Sequence, residues 1–340
     1  MKFSSILPLC ARMKILVTGS AGHLGEALMR SLRARNVDAV GLDLKPSPYT
    51  DAVGSITDAA FVQRRMAGID AVLHTATLHK PHVETHMRQQ FVDTNISGTL
   101  NLLETAVQAR VRAFVFTSTT SAFGTALTPP ADAPAAWITE RVRPVPKNIY
   151  GVTKIAAEDL CELIHRRSGL PCLILRTSRF FPEDDDAADT RLAFVDANTK
   201  LNEFLHRRVE IEDVVEAHLL ALERAAVLGF GRYIISATTP FSPADAVELR
   251  RDAAAVVERR VPAYADEYAR RGWRLPESLD RVYDNRLARE ELGWQPRWDF
   301  ASIIERLRSS GDFRSALAIA VGRKGYHDRH WDGDGPFPVQ

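Results

Sequence analysis

At 340 residues, with 45% hydrophobic and 26% charged residues, the chain is long enough for one large α/β domain and a smaller lobe, and no apolar run approaches a membrane span. Its 44 Lys and Arg offset 43 Asp and Glu, so no net field gathers nucleic acid or an anionic membrane. A small-molecule partner is expected.

Residues 1–12 hold a short apolar stretch interrupted by Pro8, a poor secretory signal that reads as a flexible extension, with Met13 as a candidate start. Strand and helix signals then alternate. A buried β-branched run at 14–18 precedes a helix at 23–35, a strand at 39–43, a helix at 58–66, a strand at 71–74, a long helix at 83–109 and a strand at 113–118. This rhythm predicts a doubly wound parallel sheet covered on both faces. A helix at 150–167 and a strand at 172–175 follow. Beyond them the pattern becomes irregular, with helices expected at 212–224 and 243–259, a strand at 233–236 and a short element at 285–292.

The division expected is a dinucleotide-binding domain over 13–176, a substrate lobe interleaved with late sheet elements over 177–322, and a tail over 323–340. Cys10, Cys161 and Cys172 make no C-x-x-C pair, which suggests reduced, buried thiols in a cytoplasmic protein. His327, His330, Asp332 and Asp334 fit no metal spacing and read as solvated tail. No metal is expected.

Gly19, Gly22 and Gly25 form G-S-A-G-H-L-G between a strand and a helix, where missing side chains let backbone amides approach a pyrophosphate. The next strand ends at Asp43, 18 residues beyond Gly25, placed to accept the ribose hydroxyls and to repel a 2′-phosphate. NAD is therefore the expected cofactor. Tyr150 and Lys154 stand four apart, so on a helix the ammonium lies near the phenol, and a nearby cation favours phenolate. That pairing suits a proton exchange with a substrate hydroxyl.

Together these residues resemble the extended short-chain dehydrogenase/reductases, in the NAD-dependent epimerase/dehydratase branch. The likeness runs through G-S-A-G-H-L-G at 19–25, V-L-H-T-A at 72–76, N-I-S-G-T-L-N-L-L-E at 95–104, F-V-F-T-S-T-T-S-A-F-G at 114–124, Y-G-V-T-K at 150–154 and E-L-G-W-Q-P at 291–296. It implies a Rossmann fold, a homodimer through the Tyr150 helix, and Tyr150, Lys154 and Thr119 as the catalytic set. It further implies cofactor contacts at Gly19, Ala21, Gly22, His23, Leu24, Gly25, Asp43, Ser55, Ile56, Thr75, Ala76, Thr77 and Thr117, with Asn95 beneath the site and His74 structural. By strand alternation Ser118 and Thr120 point away from Thr119. Resembling 4,6-dehydratases carry an Asp-Glu pair where this chain has Thr120 and Ser121, which argues against dehydration of that kind.

The resemblance implies hydride transfer at a hydroxyl-bearing carbon of a sugar or nucleotide-sugar-like substrate. The nucleotide part is less well matched. Where such epimerases read L-R-x-x-N-x-Y-G-P, this chain has L-R-T-S-R-F-F-P at 175–182. Arg179 there either binds a carboxylate or phosphate or pairs with the acidic run at 183–186. Thr120 and His79 are further substrate candidates, His79 lying with His82 and His86 in a loop at a strand's carboxyl end. Arg207 and Arg208 could hold an anionic substrate, although surface charge is the commoner role of such residues. A plain dehydrogenase or reductase of a non-nucleotide, anionic substrate is the alternative, and a non-catalytic NAD sensor the reading from another class.

Overall fold

A computed structural model describes residues 13–185 and 187–325. The 1–12 extension, Cys10, Asp186 and the tail residues His327, His330, Asp332 and Asp334 lie outside them. Nine strands occur in the described residues: β1 (Ile15–Thr18), β2 (Ala39–Asp43), β3 (Ala52–Val53), β4 (Ala71–His74), β5 (Ala113–Thr119), β6 (Ala136–Ile138), β7 (Cys172–Thr177), β8 (Phe230–Ile235) and β9 (Arg281–Tyr283). Seven of them form one sheet in the order β3-β2-β1-β4-β5-β7-β8, every pair parallel. β6 and β9 pair separately.

Alternation along each strand builds two cores. Ile15, Val17, Leu73, Val115, Leu173 and Leu175 face one side, where α1 (His23–Ala34) packs. Leu16, Val72, Phe114, Phe116 and Ile174 face the other, against α2 (Ala59–Met66). Because both faces are buried, these strands read as continuous apolar runs in the sequence, which made them visible there. Each Leu or Phe so buried stabilises the layer by about 1.5–3 kcal/mol. No described helix is long and apolar enough to cross a membrane.

The long helix expected at 83–109 starts later, at Arg88, and runs to Gln108 with a widened stretch inside it. Pro81 lies in a tight turn over Lys80–Glu84, then come α3 (Arg88–Phe91), a widened π-helical stretch over Val92–Ser97, and α4 (Gly98–Gln108). Proline favours the first turn of a helix over its interior, and hydroxyls compete with the regular ladder. Thr99 Oγ1, for one, donates to the Asn95 carbonyl at 2.7 Å.

α5 (Ile149–Ser168) starts on Asn148, whose side chain accepts from Gly151 N, and ends on Gly169 in the left-handed region. The expected helix at 243–259 is split instead, by residues 250–252, because Asp252 caps a fresh helix over Ala253–Arg260. Beyond β7 the chain forms α6 (Ala188–Ala193), α7 (Asp196–Phe204) and α8 (Ile211–Leu228). α8 returns to the sheet beside α1, and Trp294 of the E-L-G-W run is fully buried against it, its Nε1 donating to Asp213 O at 3.0 Å. A separate cluster including Leu201, Phe204, Phe241, Leu249, Val282, Phe300 and Ile304 forms the core of the lobe.

Glu158 on α5 is 1% exposed and binds three strands of the sheet. It accepts from Ser118 Oγ of β5 at 2.6 Å and from Arg176 Nη2 of β7 at 2.6 Å, with Arg232 Nε of β8 at 3.3 Å. Removing one partner of a buried ion pair leaves the other charge uncompensated. Glu158→Ala should therefore lose about 3–5 kcal/mol in urea unfolding, with Glu158→Gln losing less. Unchanged midpoints would contradict this account of how α5 is held.

Candidate active site

β1 ends in a turn that only glycine accommodates. Gly19 has φ +75°, and a Cβ there would stand 2.7 Å from Thr75 Oγ1 and 2.8 Å from Ala76 N. A Cβ on Gly25 would fall 1.9 Å from the Gly19 carbonyl oxygen, so α1 could not approach the loop as it does. Gly22 begins α1 without a side-chain cap, which leaves the first amides of the helix directed at the space above the sheet. Asp43, at the end of β2, accepts from Ala21 N at 3.0 Å and from Lys45 N at 2.9 Å. The carboxylate and the glycine loop are thereby held together.

These groups line one cavity of about 1140 Å³ running across the carboxyl ends of β1, β2, β4, β5 and β7. Gly19, Ala21, Gly22, His23, Leu24, Gly25, Asp43, Ser55, Ile56, Thr75, Ala76, Thr77, His79, Thr117, Thr119, Thr120, Tyr150, Lys154 and Arg179 all line it. Asn95 lies beneath. It is 2% exposed, accepts from Thr77 Oγ1 and Leu78 N, and donates to Leu78 O and to Thr153 Oγ1 of α5. His74 is also beneath, between the hydroxyls of Thr18 at 2.7 Å and Thr99 at 2.9 Å.

Tyr150 and Lys154 share a face of α5 and both are buried. Burial pushes the Tyr150 phenol up to about 12, and its hydrogen bond with Thr119 opposes the rise. Burial brings Lys154 down to about 7, with Glu158 opposing the fall. The spacing had suggested a phenol drawn down by the ammonium. Within the chain's own groups the desolvation of both outweighs that attraction. Lys154 Nζ donates to Thr117 O at 2.6 Å and stands 4.0 Å from the centre of the Phe116 ring.

Thr117 is fixed in turn. Its hydroxyl is 2.8 Å from His218 Nε2, and His218 Nδ1 contacts the Val214 carbonyl, so Nδ1 carries the proton and the threonine donates. Thr119 Oγ1 accepts from Ser121 N at 3.0 Å. Ser118 turns its hydroxyl to Glu158, away from Thr119.

His79 and His82 cap one another. His82 N donates to the His79 carbonyl at 3.0 Å, while His82 Nδ1 accepts from His79 N at 2.9 Å. A ring nitrogen that accepts carries no proton, and burial holds the His79 imidazole well below its ordinary value. Its ring centre lies 6.1 Å from that of Tyr150. Among the described residues no group of three His, Cys, Asp or Glu is arranged to hold a metal ion.

Both sequence alternatives for Arg179 meet in one place. The side chain lines the cavity and also pairs with Asp185, Nη1 to Oδ2 at 2.7 Å. Arg208 is a correction. Instead of surface charge it is 5% exposed, bound to Glu203 at 2.8 Å and to the Phe181 carbonyl, because α7 brings Glu203 beneath it. Arg207, for which the sequence left a substrate contact open, lines the cavity, and so do Arg281 and Tyr283, which the sequence did not point to. The available signal was the alternation of Arg281 and Tyr283 about the buried Val282, too short a run to identify a strand.

The NAD dependent epimerase/dehydratase family model matches residues 15–235. The UDP-glucose 4-epimerase of Lactobacillus helveticus is 28% identical over 319 residues, which cover 84% of this chain and 92% of that one. The solved UDP-glucose 4-epimerase of Thermotoga maritima, with UDP-glucose, aligns with a TM-score of 0.60 at 22% identity over 88% of this chain and all of the other. L-Threonine dehydrogenase of Clostridium difficile aligns with a TM-score of 0.60 at 18% identity, over 87% and 97%. At these identities the two structures show the shared fold alone.

Lys154 makes stability depend on pH. With a folded value near 7 against an ordinary 10.5, the unfolded chain binds more protons between those limits, so stability rises with pH across that window. Urea midpoints of the wild type should climb from pH 7 to 10 relative to Lys154→Met, and parallel curves would contradict the burial of this amine.

Proposed function

The chain belongs to the NAD-dependent epimerase/dehydratase family and is an NAD-dependent enzyme of the extended short-chain dehydrogenase/reductase type, and on that premise we propose that it oxidises a hydroxyl-bearing carbon of a sugar or nucleotide-sugar-like substrate with Tyr150 as acid/base. The observation that carries this reading is that Tyr150 and Lys154, four apart on α5, line together with Thr119 the same cavity as the glycine cradle.

The residues present suit NAD. The space that a Cβ at Gly19 or Gly25 would fill, with the uncapped start of α1, is what a pyrophosphate needs. Gly19 to Gly25 would hold it, Asp43 the adenosine ribose, Ser55 and Ile56 the adenine, and Thr75, Ala76, Thr77 and Thr117 the middle of the molecule. Bound there, NAD would supply the acceptor for the hydride of the carbinol carbon and the donor for its return to the opposite face of that carbon.

Tyr150 Oη takes the substrate's hydroxyl proton, and the Thr119 hydroxyl holds the same oxygen as it gains carbonyl character. Lys154 binds the ribose hydroxyls and, in its ammonium form, sets a cation one helical turn from the phenol. Asn95 fixes α5 to the 77–78 segment through Thr153, so both halves of the site keep their spacing. Thr120 and Ser121 provide no carboxylate for a dehydration step.

A plain dehydrogenase acting on an anionic substrate is the second reading, and Arg179 in the cavity wall favours it. NAD retained stoichiometrically in denatured, purified protein supports epimerisation; its absence supports release of the oxidised product. The reading also takes the protein as a cytoplasmic homodimer. Val152 and Leu163 of α5, both exposed, lie on one face and suit the dimer contact.

Tyr150→Phe should lower turnover by about 10²–10⁴ while leaving NAD affinity intact. Full turnover of an identified substrate by that variant would overturn the assignment.

A further inference from the structure

The wall of the cavity beside the glycine loop is made by three pieces of chain that lie far apart in sequence. One is the first turn of α1, which supplies His23 and Glu26. Another is the run after β7 that holds Glu183 and Asp184, and the third is the segment that follows the helix Ala316–Val321. His23, Glu183, Asp184, Lys324 and Gly325 all line the cavity.

The helix Ala316–Val321 is anchored, because Val321 is buried in the core on which α1 packs, with Leu317 and Ala318 against it. The chain turns at Gly322, where φ is +64°, a left-handed conformation that glycine adopts without strain. Beyond that turn charge replaces apolar packing. Glu183 Oε1 accepts from His23 Nε2 at 2.9 Å, from Lys324 N at 3.0 Å and from Gly325 N at 3.4 Å. Lys324 Nζ donates to Glu26 Oε2, and Arg323 Nη2 donates to Asp184 Oδ1 at 2.6 Å. Burial pushes the Glu183 carboxyl up, but its hydrogen bonds with His23 and Lys324 N hold it below its ordinary value, so near neutral pH it is ionised and only accepts.

A second cavity, of about 390 Å³, adjoins the same junction. His23 and Phe180 line both cavities, and Gly322 and Arg323 line the second where Lys324 and Gly325 line the first. Arg323, Lys324 and Gly325 bring no apolar side chain to pack, so polar bonds alone keep this segment in the wall. Arg323 and Asp184 are 58% and 39% exposed, and water screens that pair. The bonds at Glu183 and Glu26, whose side chains are both buried, carry the junction.

We propose that Glu183 and Lys324 form a clasp in the cavity wall that sets how fast NAD enters and leaves, making the cofactor a resident group instead of one exchanged at every turnover. This rests on NAD lying along the glycine loop. The clasp bonds protein to protein, so it acts as a barrier. Loosening it speeds passage in both directions, whereas losing a direct cofactor contact speeds exit alone. A cofactor that stays in place suits a reaction in which a hydride is taken and given back, so the clasp aligns this chain with epimerisation.

The test is stopped-flow fluorescence of NADH binding to, and displacement from, the full chain in the wild type, Lys324→Met, Lys324→Arg and Glu183→Ala. Association and dissociation rates should both rise about tenfold or more in Lys324→Met and Glu183→Ala, and Lys324→Arg should stay near the wild type. If Glu183→Ala loses its cooperative urea transition, Lys324→Met decides, since Arg30 Nε still pairs with Glu26 at 2.7 Å. Faster exit with entry unchanged or slowed overturns the proposal, because it would make Lys324 a direct cofactor contact. So does a Lys324→Arg protein as fast as Lys324→Met. A wild type that binds no NADH overturns the clasp together with the cofactor reading, whereas NADH bound at rates indifferent to Lys324 overturns the clasp alone.

Discussion

A buried carboxylate, Glu158, makes the rest of the site possible. It lies one helical turn beyond Lys154 and two beyond Tyr150 on α5, and it is the first of the chain's own groups to oppose the loss of charge at Lys154. The same two oxygens bind β5 and β7 through Ser118 and Arg176. One group therefore sets both where the helix sits and how readily the amine holds its proton. The low dielectric that makes such a link costly to break also pushes Tyr150 up and Lys154 down. An acid/base pair that stands ready in the sequence is, in the folded chain, a pair restrained by burial.

The two ends of the cavity work by different physics. At the glycine loop almost nothing is offered by side chains: backbone amides and the uncapped helix start face the cavity, with Asp43 holding the loop by accepting from Ala21 N. At the opposite end side-chain charge dominates, with guanidiniums and carboxylates packed at hydrogen-bond distance. The backbone end suits a cofactor common to a whole family. The charged end carries Arg179, the residue behind the proposed anionic alternative.

Legibility followed the same division. β1, β4 and β5 could be read because their residues are buried on both faces, and the glycine loop because its spacing has one physical use. Tyr150 and Lys154 were legible as an i, i+4 pair on a strongly marked helix, although the direction in which burial moves them was not, since desolvation depends on everything packed around them. β6 and β9 have three residues each and exist only because each pairs with the other across a long sequence separation. Without β9 there was no way to place Arg281 in the cavity. Arg208 looked like surface charge because α7, which supplies Glu203, has no strong apolar periodicity. The late start of the 83–109 helix, behind the tight turn that holds Pro81, and its widened middle are features that apolar spacing does not register.

The central claim is that Tyr150 becomes a usable acid/base only when NAD⁺ brings its own charge and ribose against α5. Ultraviolet titration of tyrosinate, comparing wild type with Tyr150→Phe, isolates this one phenol. Without NAD⁺ its ionisation should lie near 12, and with saturating NAD⁺ it should fall by several units towards neutrality. A phenol that keeps the same high value with NAD⁺ bound would contradict the account.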